Sequence, residues 1–119
     1  MNYYLARNYL DEKKVKWEAM RTGAGIGMAE LGAAKKDMVV LGADTAESSR
    51  AHYFAKKFPE RFIQCGVAEQ NLIGVSAGLS YQGKVPYAVT YAPFLVGRPW
   101  EPIRTIIAYP ARHVVFVSS

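Results

Sequence analysis

Four short apolar runs, each closed by a residue that ends a strand, limit what this chain can fold into. They are MVVLGAD (38–44), RFIQCG (61–66), VPYAVTY (85–91) and VVFVSS (114–119). The first is continuously apolar rather than alternating, which suits a strand buried on both faces of a parallel sheet. Helix-length segments lie between them. SSRAHYFAKKF (48–58) is led by serines of the capping type, and Pro59 closes it. VAEQNLIGVSAGLSYQG (67–83) ends at Gly83, and PWEPIRTIIAY (99–109) carries Pro99 and Pro102, tolerable only in a first helical turn. A further helix over 17–34 puts Trp17, Met20, Ala24, Met28 and Leu31 on one face, at spacings of three and four. Strands alternating with helices in this way form βαβ units. The expected fold is therefore α/β, with a three-layer, mostly parallel sheet flanked by helices. Residues 1–14 read as an N-terminal arm and 15–119 as the domain. Because no helix follows the last strand, the domain is expected to be incomplete at its C-terminus.

Composition narrows the class. Half of the 119 residues are hydrophobic, enough for a core. The net charge of +5 comes largely from paired lysines at 13, 14, 16, 35, 36, 56 and 57, at positions that suit a solvated face. Phosphorylated substrates would be drawn to such charge. Nucleic acid is not expected as a partner, because no basic stripe interleaved with aromatics and no binding motif accompanies the charge. No run of about 18 apolar residues is present, so no membrane span is expected. The N-terminus lacks the apolar core of a secretory signal. The lone Cys65 cannot build a disulfide framework or a metal cluster, and reads as a buried strand residue in a reducing, cytoplasmic setting.

In open parallel sheets ligands collect beyond the carboxyl ends of the strands. Three such ends carry chemistry here: Asp44 to Ser49, Gly66 to Asn71, and Thr90 to Arg98. Each also has a structural explanation. Asp44 can cap a turn and Ser48 or Ser49 a helix, while Glu69 in a first turn suits the helix dipole. Tyr91 and Phe94 can be core, and Arg104 can pair with Glu101 on the helix surface.

Read in order, the segments become more specific. PERFIQCGVAEQNLIGVSAGLSYQGKVPYAVTYAPFLVGRPWEPIR, preceded by MRTGAGIGMAELG and VVLGADTAESSR, resembles the pyrimidine-binding domain of transketolases, in particular the split, two-subunit type. The likeness runs over about residues 15–119. It implies a thiamine diphosphate enzyme that moves a two-carbon ketol unit between sugar phosphates. The glutamate at the position of Glu69 would then hydrogen-bond N1′ of the aminopyrimidine. Sharing a proton there favours the 4′-imino form, whose nitrogen removes the C2 proton of the thiazolium to give the ylide. A dry site strengthens such a hydrogen bond. By the same resemblance Phe94 stacks on the pyrimidine, Tyr91 is a nearby aromatic, and Asp44 approaches the cofactor. Arg21 and Ser48 match residues that contact the substrate phosphate, an anion that suits arginine. Thr45 stands where leucine is usual, and Met20 where threonine often precedes the arginine.

The family's Gly-Asp-Gly motif, which with a downstream asparagine holds Mg²⁺ and the diphosphate, is missing from this sequence. The resemblance therefore implies a diphosphate-binding, N-terminal transketolase subunit as partner, self-association, no metal ligands of this chain's own, and no turnover by this chain alone. The glycine-rich helix faces GAGIG and GVSAG suit close packing against a partner or against this chain's own layers. The nearest alternative is a deoxyxylulose phosphate synthase-like fragment, but Asn71 stands where those relatives usually carry histidine. The β subunits of 2-oxo acid dehydrogenases are more distant. From another class come a non-catalytic interaction module that keeps the fold and, weakest, a nucleic-acid binder.

Overall fold

A computed structural model describes residues 9–11 and 13–118. Most of the expected arm, 1–14, therefore lies outside the described residues, as does Ser119 of the last expected strand.

The elements run α1 (Met20–Ala34), β1 (Met38–Gly42), α2 (His52–Lys57), β2 (Phe62–Gln64), α3 (Glu69–Tyr81), β3 (Val85–Thr90), α4 (Ala92–Gly97), α5 (Trp100–Pro102) and β4 (Val115–Ser118). A 3₁₀ turn over Pro59–Arg61 leads into β2, and α5 continues as a π-helical stretch over Ile103–Ala108. The sheet has the order β2-β1-β3-β4 and every pairing is parallel.

β1 is the centre. All five of its residues are buried, as expected for a strand covered on both faces. Its side chains divide the core by the period of two. Val39 and Leu41, with Ala43 just past the strand, join Leu72, Ile73 and Ala77 of α3 on one face. Met38 and Val40 face the other way, toward Met28 of α1 and Phe54 of α2. Three layers result, as the sequence pattern required.

The boundaries and one face differ from expectation. Helix α1 starts at Met20 rather than at 17, and Trp17 and Met20 are 76% and 92% exposed. Its buried face is Gly25, Met28, Ala29 and Gly32. The reason is steric: a Cβ at Gly25 would stand 2.5 Å from Arg50 Cβ, and one at Gly32 would collide with the Phe54 ring. The segment from Arg50 to Phe58 approaches so closely at Gly25 and Gly32 that only glycine fits there, while Met28 packs inward as expected and Trp17 and Met20 turn outward. The small-residue helix faces thus split. Gly25 and Gly32 serve packing within the chain, whereas Gly23, Gly27, Gly74 and Gly78 meet nothing within 4 Å.

Neither serine caps α2, whose N-cap is Ala51. Both hydroxyls donate instead to the Thr45 carbonyl, Ser48 at 3.1 Å and Ser49 at 2.7 Å, closing the turn before the helix. Cys65 lies just past β2 and is half-buried rather than a buried strand residue, and desolvation pushes its thiol up from the ordinary range. Arg104 donates to the Tyr109 hydroxyl at 3.2 Å rather than pairing with Glu101. Helix α4, APFLVG, went unread because it is a short segment with Pro93 in its first turn.

Arg61 fastens α1 to the sheet. Its guanidinium donates to the carbonyls of Gly32 at 2.8 Å and Lys35 at 2.9 Å, and stacks 4.1 Å from the Phe58 ring centroid. It thus satisfies carbonyls that the end of a helix leaves open.

The glycine split makes a paired test. Gly25→Ala should destabilise the chain by about 1–3 kcal/mol, because the added methyl overlaps backbone and ring atoms. Gly27→Ala, in open space within α1, should stabilise it by about 0.5–1 kcal/mol. Thermal or denaturant unfolding of both variants checks the contrast.

Candidate functional site

The chain leaves β1 toward β2 on one side and returns to β3 on the other. The loops following β1 and β3 therefore part at this point, the arrangement that opens a crevice at the carboxyl ends of a parallel sheet.

Three segments converge there. After β2 the backbone turns through Gly66 at φ 70, a conformation that suits glycine, and enters α3 at Glu69. The Glu69 side chain is 3% exposed, within the first turn where the helix dipole favours a carboxylate. After β3, Tyr91 leads into α4, and Phe94 follows with its ring centroid 6.0 Å from that of Tyr91, edge-on. At the end of α4 stands Arg98, whose Nη1 donates to Glu69 Oε1 at 2.8 Å. The same guanidinium carbon lies 4.1 Å from the Phe94 ring centroid. Gln70 Nε2 donates to the Arg98 carbonyl at 3.3 Å, so α3 also holds the backbone of this residue. Ala68, Glu69, Gln70, Asn71 and Arg98 line an open hollow of about 490 Å³.

Asp44 comes from the loop after β1, at φ 59 and exposed to solvent. Its backbone N–H donates to Gln64 Oε1 at 2.8 Å, and the Gly66 N–H donates to the same oxygen at 3.2 Å. One side chain at the end of β2 thus ties together the loops that carry Asp44 and lead to Glu69. Two buried hydroxyls near these strand ends, Thr45 Oγ1 and Thr90 Oγ1, have no hydrogen-bond partner among the described residues.

Glu69, Tyr91 and Phe94 are therefore neighbours, and Asp44 is linked to the same loops. Arg21 is elsewhere. It lies in the first turn of α1 and lines a different hollow of about 460 Å³, mostly apolar, together with Met20, Ser49, Val89, Val117 and Ser118. Ser49 rather than Ser48 faces this hollow with Arg21. Sequence reasoning missed Gln64 and Arg98. Gln64 carried no signal beyond its place at a strand end. Arg98 lay at the edge of the segment after β3 and gained meaning only from what it touches.

The donor set fits an aminopyrimidine. The space between the Phe94 face and the Glu69 carboxylate already holds a flat group that stacks on the ring and donates N–H to the buried oxygen. Among the described residues no cluster of three or more His, Cys, Asp or Glu could hold a metal ion. No helix of the described residues is long and apolar enough to cross a membrane.

Comparison with known proteins identifies the family. The transketolase pyrimidine-binding domain family matches residues 17–119. A protein of Methanocaldococcus jannaschii described as a transketolase C-terminal section is 46% identical over 103 residues, covering 87% of this chain and 33% of that protein. One of the apulose-4-phosphate transketolase subunits of Phocaeicola vulgatus is 37% identical, over 73% of this chain and 28% of its own length. Among solved structures, a split gene transketolase described as an inactive β4 tetramer superposes with a TM-score of 0.78 at 47% identity. It covers 87% of this chain and 34% of that one. The chain thus spans about a third of the length of these relatives. It belongs to the transketolase pyrimidine-binding domain family.

Proposed function

We propose that this chain supplies the aminopyrimidine side of a thiamine diphosphate site in a split transketolase, the enzyme that transfers a two-carbon ketol unit between sugar phosphates. The observation that carries this reading is a carboxylate shielded to 3% exposure, with a planar N–H donor seated between it and an aromatic face. Family membership and the 46% identity to a transketolase C-terminal section support it.

When bound, thiamine diphosphate supplies the carbanion chemistry. Glu69 would share a proton with N1′ of the pyrimidine, and its burial keeps water from competing for that hydrogen bond. Phe94 offers a stacking face, and Tyr91 buttresses it edge-on. Asp44, on the loop tied to Gly66 through Gln64, is the candidate acidic residue to approach the cofactor. Arg21 is the candidate for the phosphate of the sugar, with Ser49, which lines the same hollow, beside it and Ser48 on the adjoining turn. Mg²⁺ and the diphosphate fall to a diphosphate-binding subunit. Self-association of this chain is supported by the β4 assembly of the solved relative. The open glycines Gly74 and Gly78 on α3 would let a second subunit come close.

Co-expression with a diphosphate-binding transketolase subunit should give ketol transfer that depends on added thiamine diphosphate, provided the segment expected to follow the last strand is present. In that complex Glu69→Gln should lower turnover by about 10²–10⁴-fold, the range for a lost proton-transfer partner, with an unchanged circular dichroism spectrum. Near-normal turnover in the variant would overturn the role of Glu69. Phe94→Ala should raise the cofactor concentration for half-maximal activity by about 2- to 10-fold, the worth of one aromatic stack.

A further inference from the structure

The contacts of Arg98 go further than a helix-end salt bridge. Its guanidinium is flat, carries N–H donors in its plane, and is cationic. One face lies over Phe94 at 4.1 Å while Nη1 donates to Glu69 Oε1 at 2.8 Å. Those are the two contacts assigned above to the aminopyrimidine. The Phe94 face that Arg98 covers and the Glu69 Oε1 that it holds cannot take a second group while it is there. We propose that Arg98 is a built-in competitor, which holds Glu69 and Phe94 until an aminopyrimidine displaces it.

The inference rests on the reading of Glu69 and Phe94 under Proposed function, and the geometry shows how the exchange would work. The Arg98 side chain is 47% exposed, at the mouth of the hollow, so it can swing into solvent without unpacking the core. Its backbone stays in place, because its N–H donates to the Phe94 carbonyl at 3.2 Å and its own carbonyl accepts from Gln70. Only the side chain has to move. Glu69, by contrast, cannot follow it into water. Losing Arg98 alone would leave a buried carboxylate without a partner, which is unfavourable. An aminopyrimidine that takes up one proton from solvent at N1′ as it binds brings both an N–H donor and an aromatic ring, and so replaces both contacts together. The arginine thus keeps the carboxylate satisfied and selects for a ligand able to make the two contacts at once. A ligand that can make only one would not displace it.

The apparent affinity of a site is reduced by the fraction of time that it is competent to bind. If Arg98 closes the site about nine-tenths of the time, removing it should tighten binding about tenfold. The test is a titration of the full chain, assembled with a diphosphate-binding subunit, with thiamine diphosphate, followed by tryptophan fluorescence. Arg98→Met should lower the dissociation constant about tenfold. Arg98→Lys, which keeps charge but loses the flat face, should lower it less. Glu69→Gln should raise it. In the wild-type complex the side-chain NMR signals of Arg98 should move toward those of a free arginine as cofactor is added. Should the methionine variant fail to fold, Arg98→Gln retains an amide donor without the charge, and it too should bind more tightly. Unchanged or weaker binding in the Arg98 variants, with Glu69→Gln weakened, would overturn the competition while leaving the cofactor site standing. Absence of thiamine diphosphate binding in every form would overturn both.

Discussion

A carboxylate withdrawn from water needs a hydrogen-bond donor or a cation, and the upper end of this molecule is arranged around that need. Isolated burial of an ionised carboxyl is far more costly than any single packing contact returns. Glu69 meets the requirement through the first-turn position on α3 and through Arg98 from the other side of the crevice. Removing one member of such a pair costs more than the pair itself contributes, since the other is left uncompensated. The turn at Gly66, the short helix α4 and the Phe94 ring all have positions consistent with keeping this pair together.

The sheet makes the meeting possible. β1 is buried along its whole length, so helices must cover both faces and the chain must cross from β2 to β3 over it. That crossing brings the start of α3 and the loop after β3 to the same end of the sheet. Gln64 then joins the neighbouring loops by accepting two backbone N–H groups with one oxygen. Arg61 fastens the opposite end by closing the last turn of α1. The framework positions Glu69 and Phe94 from buried elements, whereas the Arg98 side chain stands 47% exposed at the edge of the hollow.

Much of the architecture could be read from the residues. The continuous run MVVLG signalled a strand covered on both sides, and the strand–helix alternation led to parallel pairing. The position of Glu69 in a first turn was equally plain, because an acidic residue before an apolar helix has few other places to go. The face of α1 was read in part. Hydrophobicity pointed rightly to Met28, but also to Trp17, Met20 and Leu31. Close approach at Gly25 and Gly32 demanded glycine, and packing distance outranked hydropathy there. The serines before α2 offered a cap but bonded back to Thr45, since the left-handed residues Asp44 and Arg50 fold that segment into a turn. Arg98 and Gln64 act through partners 29 and 20 residues away in sequence, and no local pattern announces such contacts.

The central claim concerns a proton shared between Glu69 and a pyrimidine nitrogen. Nitrogen NMR of thiamine diphosphate labelled at N1′, bound to the chain assembled with a diphosphate-binding subunit, observes that proton directly. The account requires the N1′ resonance to move toward the protonated range in the wild-type complex and to stay near its free-solution position with glutamine at 69. Identical resonances in the two complexes would contradict it.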